Sequence, residues 1–133
     1  MKRISIVLSL VVIAFISLSC KQEVEQEVKV ITVEEMHTLL KLDDVQLVDV
    51  RTPKEYQAGY IKNAQNIDFR SSTFDADILK LDKTKPVILY CHSGGRSAKC
   101  TEKLQAAGFL KIYDLEGGIS KWKHEKHEVI IPE

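Results

Sequence analysis

One cysteine in this chain is set among residues that would be wasted on an inert thiol. Cys91-His92-Ser93-Gly94-Gly95-Arg96-Ser97 follows the most apolar, β-branched run of the sequence, Pro86-Val87-Ile88-Leu89-Tyr90, and precedes a stretch with helical spacing. Two adjacent glycines open backbone conformations closed to other residues, so successive amides can curl around a small centre. A helix starting near Arg96 adds the partial positive charge of its N-terminus. Amides, helix dipole and a nearby guanidinium all favour a thiolate over a thiol, and a thiolate is a nucleophile. The alternative, Cys91 as a small buried hydrophobe, would need neither the glycines nor the arginine.

The elements that must hold this turn can be read from the punctuation. The spacing predicts a strand over 28–31, then a helix opened by the capping box Thr32-Val33-Glu34-Glu35, with Met36, Leu39 and Leu40 turned inward. Val45 to Val50 reads as a strand buried on both faces. It runs into a second capping box, Thr52-Pro53-Lys54-Glu55, with proline at the first helical position, and the short helix ends near Gly59. A third strand is expected over 64–67, a helix over 74–81, and the strongest strand over 86–90. The helix after the cysteine spans 97–107 and closes at Gly108; a last strand covers 111–115, a turn falls at Gly117-Gly118, and a final helix runs over 119–126. Alternating strands and helices imply an α/β fold, a central parallel sheet with helices on both faces. In such a sheet ligands bind beyond the carboxyl ends of the strands, where Cys91 stands.

Other candidates carry weaker signals. Asp49 and Arg51 flank Val50 at a strand end and so share a face, and a buried charged pair that props the Cys91 loop from behind is favoured over a catalytic base. Cys100 shares a helical face with Leu104 and Ala107 and is read as core; a Cys91–Cys100 disulfide would disable the nucleophile and meet strict geometry. His124 and His127 are three apart but lack partners for a metal site, and His37 has none in sequence, so no metal is expected. His92 sits where it could add positive charge or touch a substrate, and Trp122 and Tyr113 read as core.

The cysteine loop resembles the active-site loop of single-domain rhodaneses, Cys-x-x-Gly-x-Arg followed by a helix. Two further stretches agree: Asp49-Val50-Arg51-Thr52-Pro53-Lys54-Glu55-Tyr56-Gln57-Ala58-Gly59-Tyr60-Ile61 resembles the family's N-terminal signature, and Leu115-Glu116-Gly117-Gly118-Ile119-Ser120-Lys121-Trp122 its C-terminal one. Tyr60 departs from the histidine usual there, which bears on local packing more than on chemistry. The resemblance implies a rhodanese-like domain and a double displacement: Cys91 takes a sulfane sulfur from thiosulfate or a persulfide, then yields it to a thiol or cyanide. It further implies that the amides of residues 92 to 96 hold the terminal sulfur's charge, and that Arg96 orients an anionic donor or holds the loop in shape. The covalent persulfide stands in place of any metal or organic cofactor. Related phosphatases of the cell cycle separate Cys and Arg by five residues, to ring a phosphate. Here only His92, Ser93, Gly94 and Gly95 intervene, so a phosphatase or arsenate-reductase activity is the second reading and a non-catalytic binding module the third.

Residues 1–20 have the order of an export signal: Met1-Lys2-Arg3, an apolar run from Ile4 to Leu18, then Ser19-Cys20. The run falls short of the roughly 20 residues that span a bilayer comfortably. Its end resembles the site at which bacterial lipoproteins are acylated on cysteine, which implies lipidation of Cys20. The expected organisation is a signal peptide at 1–19, a polar glutamate-rich tether at 20–29 and one domain at 30–133. The chain would then sit in a bacterial cell envelope, held to the membrane by lipid and facing the periplasm or the exterior. With 19 basic and 19 acidic side chains overall, and Lys2 and Arg3 lost with the signal, no basic surface for nucleic acid is implied. Expected partners are small sulfur donors and thiol acceptors, with a sulfur-carrier protein among the candidates, and the domain is expected to be monomeric.

Overall fold

Two threonines open two helices by the same local device. Thr32 Oγ accepts the amide of Glu35 at 3.1 Å while the Glu35 carboxylate accepts the amide of Thr32 at 2.9 Å; Thr52 and Glu55 repeat the exchange at 3.3 and 3.0 Å. These caps start α1 (Val33–Leu39) and α2 (Pro53–Gln57). The computed structural model describes residues 23–42 and 44–133. The expected signal segment and the lipidation site Cys20 lie outside them.

Between and after these helices come β1 (Glu27–Ile31), β2 (Gln46–Asp49), β3 (Gln65–Asn66), α3 (Phe74–Ile78), β4 (Val87–Tyr90), α4 (Gly95–Ala106), β5 (Lys111–Leu115) and α5 (Gly118–His124). The five strands form one sheet in the order β1-β5-β4-β2-β3, every pair parallel. β4 lies at its centre with all four residues fully buried, as its unbroken apolar sequence requires. Alternate side chains feed two cores. Val87 and Leu89 join Phe74 and Ile78 of α3 and Cys100 and Leu104 of α4 on one face. Ile88 and Tyr90 join Met36 of α1 and Ile119 and Trp122 of α5 on the other. The sheet is therefore covered on both sides, as the alternating pattern predicts.

Several boundaries differ from expectation. β1 begins at Glu27, and Gln26 donates to the carbonyls of Gln105 and Phe109 at 2.9 and 2.8 Å, so residues 26–29 of the expected tether belong to the domain. Glu23, Glu25 and Glu27 run up to and open this edge strand, so its start reads as a spacer in sequence. The third strand shrinks to two residues, and α3 stops at Ile78. α4 starts at Gly95, two residues earlier than expected, because Gly94 takes the left-handed N-cap position at φ 116°. Among the described residues no helix is long and apolar enough to cross a membrane.

The connections after β2 and β4, which are neighbours, leave in opposite directions: β2 leads outward to β3, β4 back to β5. That divergence opens a crevice at the carboxyl ends of the two strands. The turn starting at Cys91 and the segment carrying Glu55 form its two sides.

Candidate active site

The Cys91 turn is short. Three residues separate the cysteine from the first residue of α4. Within it the Gly94 amide donates to Cys91 Sγ at 3.0 Å, and the Ser97 hydroxyl lies within hydrogen-bond reach of Sγ at 3.5 Å and of the Gly94 carbonyl at 3.2 Å. Burial pushes the thiol's pKa up, but the bonds from the Ser97 side chain and from the amides of Ser97, Gly94 and Ser93 outweigh it. The net pKa lies below that of an ordinary cysteine. The side chain is 1% exposed. The structure puts Cys91 on the floor of the turn, with His92 and Ser93 exposed above it. A reactant must reach Sγ with a narrow end.

The two glycines differ. Gly94 needs its left-handed φ, but Gly95 has no positive φ and a Cβ added there would meet nothing within 4 Å, so the turn rests on one of them. The tighter requirement falls on Gly118, at φ 56°. A Cβ there would stand 2.5 Å from the Cys91 carbonyl oxygen and 2.7 Å from that of His92. This close approach lets the amides of Ile119 and Ser120, at the start of α5, donate to those two carbonyls at 3.0 Å each. Amides thus hold the turn on both sides: those of the turn and α4 face the sulfur, those of α5 face the carbonyls.

Arg96 is committed to the far side of the crevice. Its Nη1 and Nη2 donate to the two carboxylate oxygens of Glu55 at 2.7 Å each, a bidentate pair joining α4 to α2. The guanidinium is the main reason that the Glu55 carboxyl is held well below the usual carboxylate range. Glu55 also accepts from the Thr52 amide and hydroxyl, so one carboxylate caps a helix and clamps the loop arginine. Both terminal nitrogens of Arg96 therefore point at Glu55 and hold α4 to α2.

Asp49 and Arg51 form the expected buried pair at 2.6 Å. Arg51 also donates to the Gly59 carbonyl at 2.7 Å, its guanidinium sits 5.7 Å from the Tyr90 ring centre, and Asn66 donates to the carbonyls of both Asp49 and Arg51. None of the pair's hydrogen bonds reaches residues 92–96. Toward the Cys91 loop its contacts end at the Tyr90 ring, which directly precedes the cysteine, and at the Gly59 carbonyl. Tyr60 stacks on Tyr56 with ring centres 4.1 Å apart and bridges its backbone to Ile130, so the departure at this position is absorbed in packing.

Cys100 is fully buried, its thiol pushed up to about 12 by that burial, and both Cys91 and Cys100 are free. His124 and His127 do not converge. Instead His127 faces His37 at 3.2 Å, beside Trp122, and among the described residues no three metal-ligating side chains gather. Two residues escaped sequence reasoning. Glu55 was visible as a cap and within the N-terminal signature but not as a partner of Arg96, which lies 41 positions away. Asp114 of β5, opposite Leu89 of β4, is 7% exposed, and among the described residues its Oδ1 has no partner. Burial raises its pKa, with Ser97 acting in the other direction. A lone acid in the run Lys111-Ile112-Tyr113-Asp114-Leu115 was the available signal.

Comparison with known proteins places this geometry. The model of the rhodanese-like domain matches residues 32–125. A sulfurtransferase of Allochromatium vinosum is 32% identical over 71% of this chain and 87% of its own length. Thiosulfate sulfurtransferase GlpE of Coxiella burnetii is 34% identical over 64% of this chain and 78% of its own. The match to the Bacillus subtilis protein YqhL is 39% identical over 58% of this chain but 60% of that protein, and only 26% of a tRNA uridine(34) hydroxylase from Hamiltonella defensa is spanned. Among solved structures, a rhodanese-related protein of Thermoplasma volcanium superposes with a TM-score of 0.70 at 32% identity, covering 78% of this chain and 99% of that one. The polysulfide-sulfur transferase homodimer of Wolinella succinogenes gives 0.66 at 30% identity, over 77% and 78%. With the parallel sheet, the cysteine turn at its carboxyl edge and these matches in agreement, the chain belongs to the rhodanese-like domain family, whose members similar to it include sulfurtransferases.

Proposed function

We propose that this protein is a sulfurtransferase that moves a sulfane sulfur from thiosulfate or a persulfide to a thiol or cyanide, by way of a persulfide on Cys91. The observation that carries this reading is the donor set around Sγ: the Gly94 amide at 3.0 Å, with the Ser97 hydroxyl and the head of α4 behind it. A sulfur anion placed there is held without reorganisation, which is what a thiolate nucleophile and a thiolate leaving group both require.

In the first half-reaction the Cys91 thiolate attacks the donor's outer sulfur. A new S–S bond forms as the donor's bond to that sulfur breaks, and the leaving group, sulfite or a thiolate, departs with the electron pair. In the second, the acceptor attacks the terminal sulfur and Cys91 Sγ leaves as the thiolate, stabilised by the same donors. No external oxidant or reductant enters the balance, and the chain's own groups supply the stabilisation.

The three residues between Cys91 and α4 suit one sulfur atom better than a tetrahedral oxyanion, and nothing in the site favours the phosphatase reading. The test is formation of thiocyanate from cyanide and either donor, abolished in Cys91→Ser. Turnover of an aryl phosphate that depends on Cys91 would replace this proposal with the phosphatase one. From the pattern of residues 1–20 we also propose that Cys20 is acylated and tethers a monomeric domain to an envelope membrane; a mass on the N-terminal peptide lacking fatty acid would exclude it.

A further inference from the structure

A dianionic donor such as thiosulfate carries its charge on the sulfonate, outside the ring of amides, so a site built for it would present a cation there. Here the cations that the contacts place beside the turn are already matched. Arg96 spends both terminal nitrogens on Glu55, and Glu55 is itself fixed by the Thr52 amide and hydroxyl, so the carboxylate cannot easily leave. Lys121, one turn into the helix that holds the loop carbonyls, is paired with Glu116. At the exposed rim, His92 and Ser93 offer an imidazole and a hydroxyl. The amides at the floor are left to hold one sulfur, and the buried Sγ admits only a narrow end.

We propose that the donor class of this site is a thiol-derived persulfide, R–S–SH, in preference to thiosulfate, and that the Glu55–Arg96 pair sets the preference by cancelling the loop's own cation. The inference rests on the sulfurtransferase reading. In the step it specifies, the Cys91 thiolate bonds to the terminal sulfur of R–S–SH, the R–S bond to that sulfur breaks, and R–S⁻ leaves with the electron pair; the proton stays on the transferred sulfur. The tail R needs no charge to be read. Sulfite, by contrast, would leave past a pair that has no net positive charge to receive it.

The experiment is single-turnover loading of the full-length chain in detergent, followed as the gain of one sulfur on the Cys91 peptide. The two donors at equal concentration are thiosulfate and the hydropersulfide of N-acetylcysteine methyl ester, which carries no charged tail. The persulfide is expected to load at least about tenfold faster, the scale of one uncompensated charge acting over several ångströms near a protein surface. Glu55→Gln, which releases the Arg96 charge, is expected to shift the ratio toward thiosulfate by about the same factor. Because that variant also weakens a helix cap, Ser93→Lys provides a second route, placing a cation on the rim without disturbing either pair. Thiosulfate loading as fast as the persulfide, or a ratio unmoved in both variants, overturns the preference while leaving sulfur transfer intact. Failure of both donors to load Cys91 overturns the sulfurtransferase reading itself.

Discussion

Replacing Gly118 by alanine should damage the Cys91 turn, although the substitution lies 27 positions away and touches no side chain of the site. The new Cβ would stand 2.5 Å from the Cys91 carbonyl oxygen, 2.7 Å from that of His92 and 2.8 Å from the His92 carbonyl carbon. All three are backbone atoms, so no flexible side chain can yield. A non-glycine residue at φ 56° costs about 1–2 kcal/mol. Overpacking against fixed atoms adds about 1–3 kcal/mol. Relief by moving α5 away stretches the bonds from the Ile119 and Ser120 amides, now 3.0 Å each, which are worth about 1 kcal/mol apiece. The expected loss is about 2–5 kcal/mol, read as a lower midpoint in urea at unchanged slope. The paired control is Gly95→Ala, where nothing lies within 4 Å and φ is not positive. There, alanine at a helix start should change stability by less than about 1 kcal/mol in either direction, since alanine is the better helix former and meets no obstacle. If Gly118→Ala costs less than about 1 kcal/mol, or if the two alanines cost the same, the view that α5 cradles the turn through a close backbone approach is wrong.

Three further outcomes follow from the same geometry. Alkylation of Cys91 should show its pH midpoint below that of a free cysteine, and Cys100, with its thiol pushed up to about 12, should stay unmodified in the native state; a midpoint at or above the free value would remove the thiolate. Asp114 has its carboxyl pKa raised by burial, so it binds its proton more tightly folded than unfolded, and the stability this gives at low pH is lost as pH rises through the folded value. Asp114→Asn should therefore flatten that pH dependence and stabilise the domain near neutrality by about 1–3 kcal/mol; a less stable variant at neutral pH would show that the carboxylate has a partner. Glu55 behaves in the opposite sense: its carboxyl is held low by Arg96, so the pair's contribution is present above the ordinary carboxylate range and fades as pH falls through the folded value. Glu55→Gln should erase this acid-side loss in urea titrations, and an identical profile in variant and parent would refute it.

What was legible in the sequence was local. The capping boxes at Thr32 and Thr52 close within four residues, so their hydrogen bonds are written in adjacent letters. The all-apolar run Val87–Tyr90 announced a central strand because only a strand covered on both faces can bury every residue. The cysteine turn was legible for the same reason, through Gly94. What failed was whatever depends on a partner far along the chain. Gly117-Gly118 read as a bare turn, since the Cys91 carbonyl that forbids a Cβ lies far back along the chain. Glu55 looked finished once it capped its helix, and His37 looked solitary until α1 and the segment after α5 brought His127 to 3.2 Å. Gly95 misled in the other direction: adjacent glycines suggested a shared duty, yet the helix begins at the second. The depth of Cys91 was hidden too, because burial at a strand end depends on what covers the crevice from both sides.

The most direct test of sulfur transfer at Cys91 is the whereabouts of one sulfur atom. After the full-length protein is exposed to a persulfide donor and freed of excess reagent, mass spectrometry should find one added sulfur on the peptide containing Cys91, and none after cyanide or a thiol is added. A protein that gains no sulfur, or gains it on Cys100, contradicts the mechanism.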